Sequence, residues 1–130
     1  MVAAGRAGAI HHRQCPLMYE WYGTRYWGAA HGLAGIMHLL LHFPLNLEDA
    51  NDVKRTIHYM IENRFPSGNY PSAEEDTKDT LVHWCHGAPG LVLTLCKAAE
   101  VNLGNLITFK LLPVFCGALD HDNYVDYVLY

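Results

Sequence analysis

The stretch HGLAGI at residues 31–36 recurs as HGAPGL at residues 86–91, and a run of apolar residues follows each copy. In helical repeat proteins, a unit buries its apolar faces only when neighbouring units stack on it. The glycine after each histidine lets the backbone turn sharply, and the glycine at the fifth position permits close packing of the helix that follows. The repeated motif therefore predicts a helical repeat protein whose functional residues lie at the N-terminal ends of helices.

The sequence around the two copies predicts helices of two kinds. Residues 32–43 and 89–101 are apolar on nearly every side, which is typical of buried helices. Residues 47–64 follow the N-cap candidate Asn46 and carry a single apolar stripe, so this helix should keep one face in water. Buried helices paired with half-exposed ones predict an all-α fold, a partial α/α toroid in which inner and outer helix pairs form an incomplete ring. We expect residues 1–130 to form one incomplete domain of this kind.

The remaining stretches predict a connection and a tail. Two prolines and a glycine make a helix unfavourable in residues 65–80, and we expect the acidic residues 74–76 to be solvated there. Residues 103–112 suit a helix that Pro113 interrupts, whereas residues 121–130 give no assignment.

Composition and charge narrow the class of protein. Hydrophobic residues make up 51% of the 130 positions and charged residues 17%, which argues against a disordered chain. The net charge of −4 offers no basic surface for nucleic acid. Because we find neither an apolar leader nor a run that could span a bilayer, we expect a cytoplasmic protein with reduced cysteines. Peripheral attachment to the plasma membrane stays open.

The chemistry of the repeated motif depends on its place at a helix N-terminus. Free N–H groups and a partial positive charge there favour a neutral imidazole and a thiolate, as at His31 and Cys85. Cys85 and His86 are adjacent and suit zinc, but a catalytic zinc needs three protein ligands and the spacing identifies no complete set. The alternative is that Cys85 is a small buried hydrophobic residue and His31 a structural histidine.

Three longer stretches carry a resemblance to a known family. They are MYEWYGTRYWGAAHGLAGI at residues 18–36, FPSGNYP at residues 65–71 and VHWCHGAPG at residues 82–90. They closely resemble the eukaryotic LanC-like proteins, relatives of the bacterial lanthionine cyclases. The similarity runs over residues 16–101 and leaves residues 102–130 as an unmatched tail.

The resemblance implies a fold, a metal and a reaction. Family members are α/α toroids of seven helix pairs around a zinc ion that holds a thiolate. In the eukaryotic members, the resemblance implies that glutathione supplies the thiol, which adds to dehydroamino acids of peptides or proteins and forms a thioether.

Two residues of this chain match functional positions of the family. Cys85 matches the first zinc ligand, and His31 matches the histidine taken as an acid–base group. The family's other two ligands belong to a further Cys-His-Gly motif that this sequence lacks, since no histidine follows Cys116 and Gly117. His86 is not assigned as a ligand. We therefore expect a truncated form with an incomplete zinc site that is inactive alone, and whether it is itself an enzyme stays open.

Two other functions are compatible with the residues. A non-catalytic module could hold glutathione, a protein partner or a membrane surface through the toroid face. A carbohydrate-processing toroid would need two carboxylates at one site. The acidic residues Glu74, Glu75, Asp76 and Asp79 lie in the polar connection, and neither His-Gly motif contains an acid, so this function ranks lowest.

Overall fold

The computed structural model describes residues 1–101, which form four helices. They are α1 (Val2–Gly8), α2 (Leu33–Leu40), α3 (Leu47–Glu62) and α4 (Ala88–Glu100). The part described contains two isolated β-bridges and no strand, so the predicted all-α class is confirmed. The helix predicted over residues 103–112 and the tail at 102–130 lie outside the described residues.

Helices α2 and α4 follow the two copies of the motif and pack against each other. Their contact is fixed by a buried hydrogen bond, in which the Thr94 hydroxyl donates to the Ala34 carbonyl at 2.9 Å. Around it, both helices contribute buried apolar side chains, among them Leu33, Met37, Leu91 and Leu95. The two copies of the repeat therefore form one layer.

The sequence predicts that helices α2 and α4 are buried on nearly every side, but the structure leaves part of each helix exposed. Leu39 of α2 keeps 46% of its surface exposed and Leu93 of α4 keeps 51%. Within residues 1–101, α2 contacts both α3 and α4, and the part of each apolar helix that contains these leucines remains exposed. The prediction of complete burial is wrong for the described part of the chain.

Helix α3 is the amphipathic helix that the sequence predicts, from Leu47 but ending two residues before Arg64. The Asn46 side chain caps it by accepting a hydrogen bond from the Asp49 N–H at 2.8 Å. Its inner face packs into the core through five residues, Val53, Thr56, Ile57, Met60 and Ile61.

One arginine ties the N-terminal helix to the acidic first turns of α3. Arg6 of α1 lies 2.8 Å from Asp49, 2.7 Å from Asp52 and 3.3 Å from Glu48. These carboxylates raise the pKa of Arg6, the hydrogen bond to Asp52 contributing most. The acidic residues thus anchor α1 as well as suiting the positive end of the α3 dipole.

The connection between α3 and α4 is held by side chains that the sequence places in solvent. Glu74 accepts hydrogen bonds from the Trp27 indole N–H at 2.8 Å and from the Tyr59 hydroxyl, and its side chain is 10% exposed. The prediction that all three acidic residues are solvated is wrong for Glu74. Its partners are distant in sequence, and only the tertiary fold brings them together.

In the described residues, no helix has the length and apolarity needed to cross a membrane.

Candidate functional site

The second copy of the motif turns into α4 at a position that suits only glycine. Gly87 has a φ of 101°, and a Cβ there would overlap the Leu81 carbonyl. The buried Asn69 stabilises the start of α4, because its Oδ1 accepts a hydrogen bond from the Ala88 N–H at 2.9 Å. The Asn69 amide also donates to Asp79 and to the Leu81 carbonyl, at 2.9 and 3.0 Å. Asn69 therefore positions the segment that contains Cys85 and His86.

The two copies of the motif meet backbone to backbone. A Cβ on Gly28 would overlap the carbonyl of Cys85, so these two segments touch through their main chains. Gly35 and Gly90, at the fifth position of each copy, lie against the carbonyls of Ala29 and Trp84 in the same way. The glycines thus permit the close packing that the sequence predicts, although each packs on the turn before its own helix.

This contact brings the histidines of the two copies together. The rings of His31 and His86 have centroids 5.4 Å apart, and the Tyr26 ring lies 4.8 Å from His31 and 6.0 Å from His86. Trp21 covers His31 from another side, with a centroid distance of 5.0 Å. We call these four residues, Trp21, Tyr26, His31 and His86, the imidazole cluster.

The surroundings of His86 favour its neutral form. Burial lowers its pKa, and the charges of His31 and His83 act in the same direction. Its Nδ1 atom is buried and has no hydrogen-bond partner. A neutral imidazole with an unpaired buried nitrogen can bind a metal ion or accept a proton.

Cys85 precedes His86 and differs from the buried Cys15. The Cys85 thiol is free and partly exposed, whereas burial raises the pKa of Cys15 to about 11. The interpretation of Cys85 as a buried hydrophobic residue suits Cys15 better. Within residues 1–101, no group of three or more His, Cys, Asp or Glu side chains is arranged to hold a metal ion. Cys85 and His86 therefore fit zinc by donor type and do not complete a zinc site.

The structure places the two residues that the sequence predicts at one end of the α2 and α4 layer. His31 is exposed just before the start of α2, and Cys85 lies just before α4 and directly precedes His86 of the cluster in the sequence. Their roles as acid–base group and zinc ligand stay predictions. Sequence reasoning left His86 unassigned, although it occupies the place in the second copy that His31 has in the first. That equivalence was the available signal.

The chain is similar to members of one protein family over most of its length. The family described as lanthionine synthetase C-like protein matches residues 6–126. That match extends beyond residues 16–101, whose motifs carry the resemblance. The boundary at which the chain departs from the family, placed after residue 101 by the motifs, stays a prediction. Members of this family are α/α toroids, and the helical layer of residues 1–101 is consistent with part of such a ring.

Two relatives show how much of a family member this chain represents. It is 57% identical to the LanC-like protein GCL1 of Arabidopsis thaliana over 102 residues, which cover 78% of this chain and 24% of that protein. It is 46% identical to the glutathione S-transferase LANCL1 of Danio rerio over 93 residues, which cover 68% of this chain and 22% of that protein. The chain thus spans about a quarter of either relative. Particular similarity to LanC-like protein 3, which the motifs favour, is not tested by these matches.

Proposed function

The chain belongs to the lanthionine synthetase C-like family, and on that premise we propose that it carries part of a site that adds a thiol to dehydroamino acids. Glutathione is the thiol we propose, because one relative is named a glutathione S-transferase. The observation that carries the proposal is the meeting of the His31 and His86 rings at 5.4 Å, because His86 directly follows the partly exposed Cys85 in the sequence.

We assign the zinc-binding role to Cys85. Cys85 is partly exposed, and the Nδ1 atom of the neighbouring His86 is buried without a hydrogen-bond partner. Both residues therefore have side-chain atoms that are available to bind a metal ion. A bound zinc ion would lower the pKa of a thiol and supply a nucleophile at neutral pH. Since a catalytic zinc needs about three protein ligands, the further ligands would come from outside residues 1–101.

We propose that His31 donates the proton that the reaction requires. When the thiolate sulfur attacks the β-carbon of a dehydroalanine, a C–S bond forms and the electron pair of the C=C bond moves onto the α-carbon and its carbonyl. The α-carbon must then take a proton, which the exposed His31 ring donates as a general acid. Tyr26 and Trp21 pack on that ring and limit the directions in which it can point.

The proposal includes that this chain is inactive, or nearly so, when it acts alone. Within residues 1–101, Cys85 belongs to no group of three side chains arranged to hold a metal ion, so it binds zinc more weakly than a complete set would and less of the thiol would be activated. The purified chain should therefore add glutathione to a dehydroalanine peptide no faster than the uncatalysed reaction, as followed by mass spectrometry. Turnover well above that background would refute the claim of inactivity.

The metal assignment is tested by replacing zinc with Co²⁺, which gives a thiolate-to-cobalt charge-transfer band in the near ultraviolet. We expect the band in the wild-type chain and in the control Cys96→Ala, whose thiol is exposed on α4. Cys85→Ala should abolish it. If the wild-type chain shows no band at saturating Co²⁺, or if Cys85→Ala retains it, Cys85 is not a metal ligand of this chain.

A second candidate is a module that binds glutathione or a protein partner without catalysis. The absence of a complete ligand group within residues 1–101 favours it for the isolated chain. Calorimetric titration with glutathione discriminates between the two. Binding that is unchanged by Cys85→Ala and by chelators would support the module, whereas no heat at millimolar glutathione would exclude it.

A further inference from the structure

A second pair of histidines lies at the opposite end of α2 from His31. His38 is in the last turn of the helix, and His42 lies two residues beyond the end of the helix at Leu40. Their rings are 5.0 Å apart between centroids, and the two Nε2 atoms are 3.4 Å apart. His42 is exposed and His38 is half-buried, so a solute can reach the pair.

We propose that His38 and His42 form a two-histidine binding site for a divalent transition-metal ion such as Zn²⁺. Zinc binds imidazole nitrogens at about 2.0–2.1 Å in a tetrahedral arrangement, which puts two such nitrogens about 3.3–3.4 Å apart. The observed separation of 3.4 Å matches this spacing. A direct hydrogen bond between the two rings would favour a shorter distance, since hydrogen bonds donated by N–H groups are most often about 2.9–3.0 Å long.

The surroundings of the pair suit a cation. The pair lies at the C-terminal end of α2, where the carbonyl groups give the helix its partial negative charge. Residues 32–47 contain no lysine or arginine that would repel a metal ion and no carboxylate that would replace imidazole as its ligand. Imidazole donors favour zinc, copper and nickel over magnesium and calcium.

The affinity should be below that of a closed structural zinc site. Two histidines leave two metal positions to water, and the His38 Nδ1 atom is buried without a hydrogen-bond partner. Metal-binding histidines usually donate from the second ring nitrogen to an acceptor, and losing such a partner costs about 10–100-fold in affinity. The pair therefore fits exchangeable binding rather than a permanent ion.

This site is separate from the one near Cys85. His38 follows His31 by seven residues, which is about 10 Å along a helix axis. The inference rests on the geometry of His38 and His42 at the end of α2, so it does not depend on the proposed thiol chemistry. Replacing Cys85 separates the two sites in an experiment.

The test is a Zn²⁺ titration of the purified chain, with calorimetry for affinity and nitrogen NMR of the histidine rings for location. We expect the Nε2 signals of His38 and His42 to shift together, and the shift to persist in Cys85→Ala. His42→Gln changes an exposed side chain and should weaken this binding by about tenfold or more. His11→Gln, the matched control at an exposed histidine of the N-terminal segment, should leave it unchanged.

Two results would overturn the proposal. One is the absence of any Nε2 shift at His38 and His42 at millimolar Zn²⁺. The other is a His42→Gln variant that binds with the wild-type affinity and stoichiometry. His38→Gln adds a second check, because it should lose the same binding event if circular dichroism shows that it is folded.

Discussion

Asn69 should be the side chain on which the position of the Cys85 segment depends. Its Oδ1 accepts from the Ala88 N–H at 2.9 Å, and its amide donates to Asp79 at 2.9 Å and to the Leu81 carbonyl at 3.0 Å. Asn69→Leu keeps a side chain of similar size and removes all three hydrogen bonds. The Ala88 N–H then remains buried without an acceptor.

The size of the effect follows from these contacts. A buried N–H without a partner costs about 1–3 kcal/mol, and each lost bond of ordinary strength about 0.5–1.5 kcal/mol. Asp79 is exposed and can bind water instead, so its share is small. We expect the free energy of unfolding to fall by about 2–4 kcal/mol, a large part of the stability of a small domain.

Urea unfolding followed by circular dichroism measures this loss. The midpoint should fall while the slope with urea stays unchanged, because the surface exposed on unfolding is the same. Asn51→Ala is the control: Asn51 lies exposed on α3, and its replacement should change stability by less than about 0.5 kcal/mol. If Asn69→Leu were as stable as Asn51→Ala, the argument that Asn69 holds the start of α4 would be refuted.

Two further predictions concern titratable groups. Burial, and then the charge of His31, lowers the pKa of His86, so below about pH 6.5 the unfolded chain binds a proton that the folded chain resists. Stability should therefore fall between about pH 7.5 and 5.5, with a shallower slope in His86→Gln; equal slopes in urea titrations would contradict this. Burial raises the pKa of Cys15 to about 11 while Cys96 is exposed, so iodoacetamide should label Cys96 in the folded chain and Cys15 only after unfolding. Equal labelling rates under native conditions, read by mass spectrometry of peptides, would count against this.

Local features of the fold could be predicted from the sequence. Asn46 and the apolar stripe after it determine where α3 begins, because a cap and a helical period act within a few residues. Helix α2 ends earlier than residue 43, since the His42 and Phe43 N–H groups bond three residues back, to Leu39 and Leu40. Such a tightened last turn depends on the approach to Pro44 and is not visible in apolar patterning.

Contacts between distant segments could not be predicted. Glu74 belongs to a run of acidic residues that indicates a solvated loop, yet Trp27 and Tyr59 converge on it from other parts of the fold. The pairing of His31 with His86 likewise required knowing that the two copies lie side by side. Repetition in the sequence showed that the copies are equivalent and did not show that they touch.

The contact between Gly28 and the Cys85 carbonyl bears on how related sequences should be compared. Any side chain at position 28 would occupy the space that the Cys85 main chain takes, so the arrangement of the site requires that residue 28 has no Cβ atom. A homologue could keep the histidine of position 31 and the cysteine of position 85 and still lose their arrangement through one added methyl group. For judging whether a distant sequence preserves this geometry, the residue aligned with Gly28 is as informative as the reactive residues themselves.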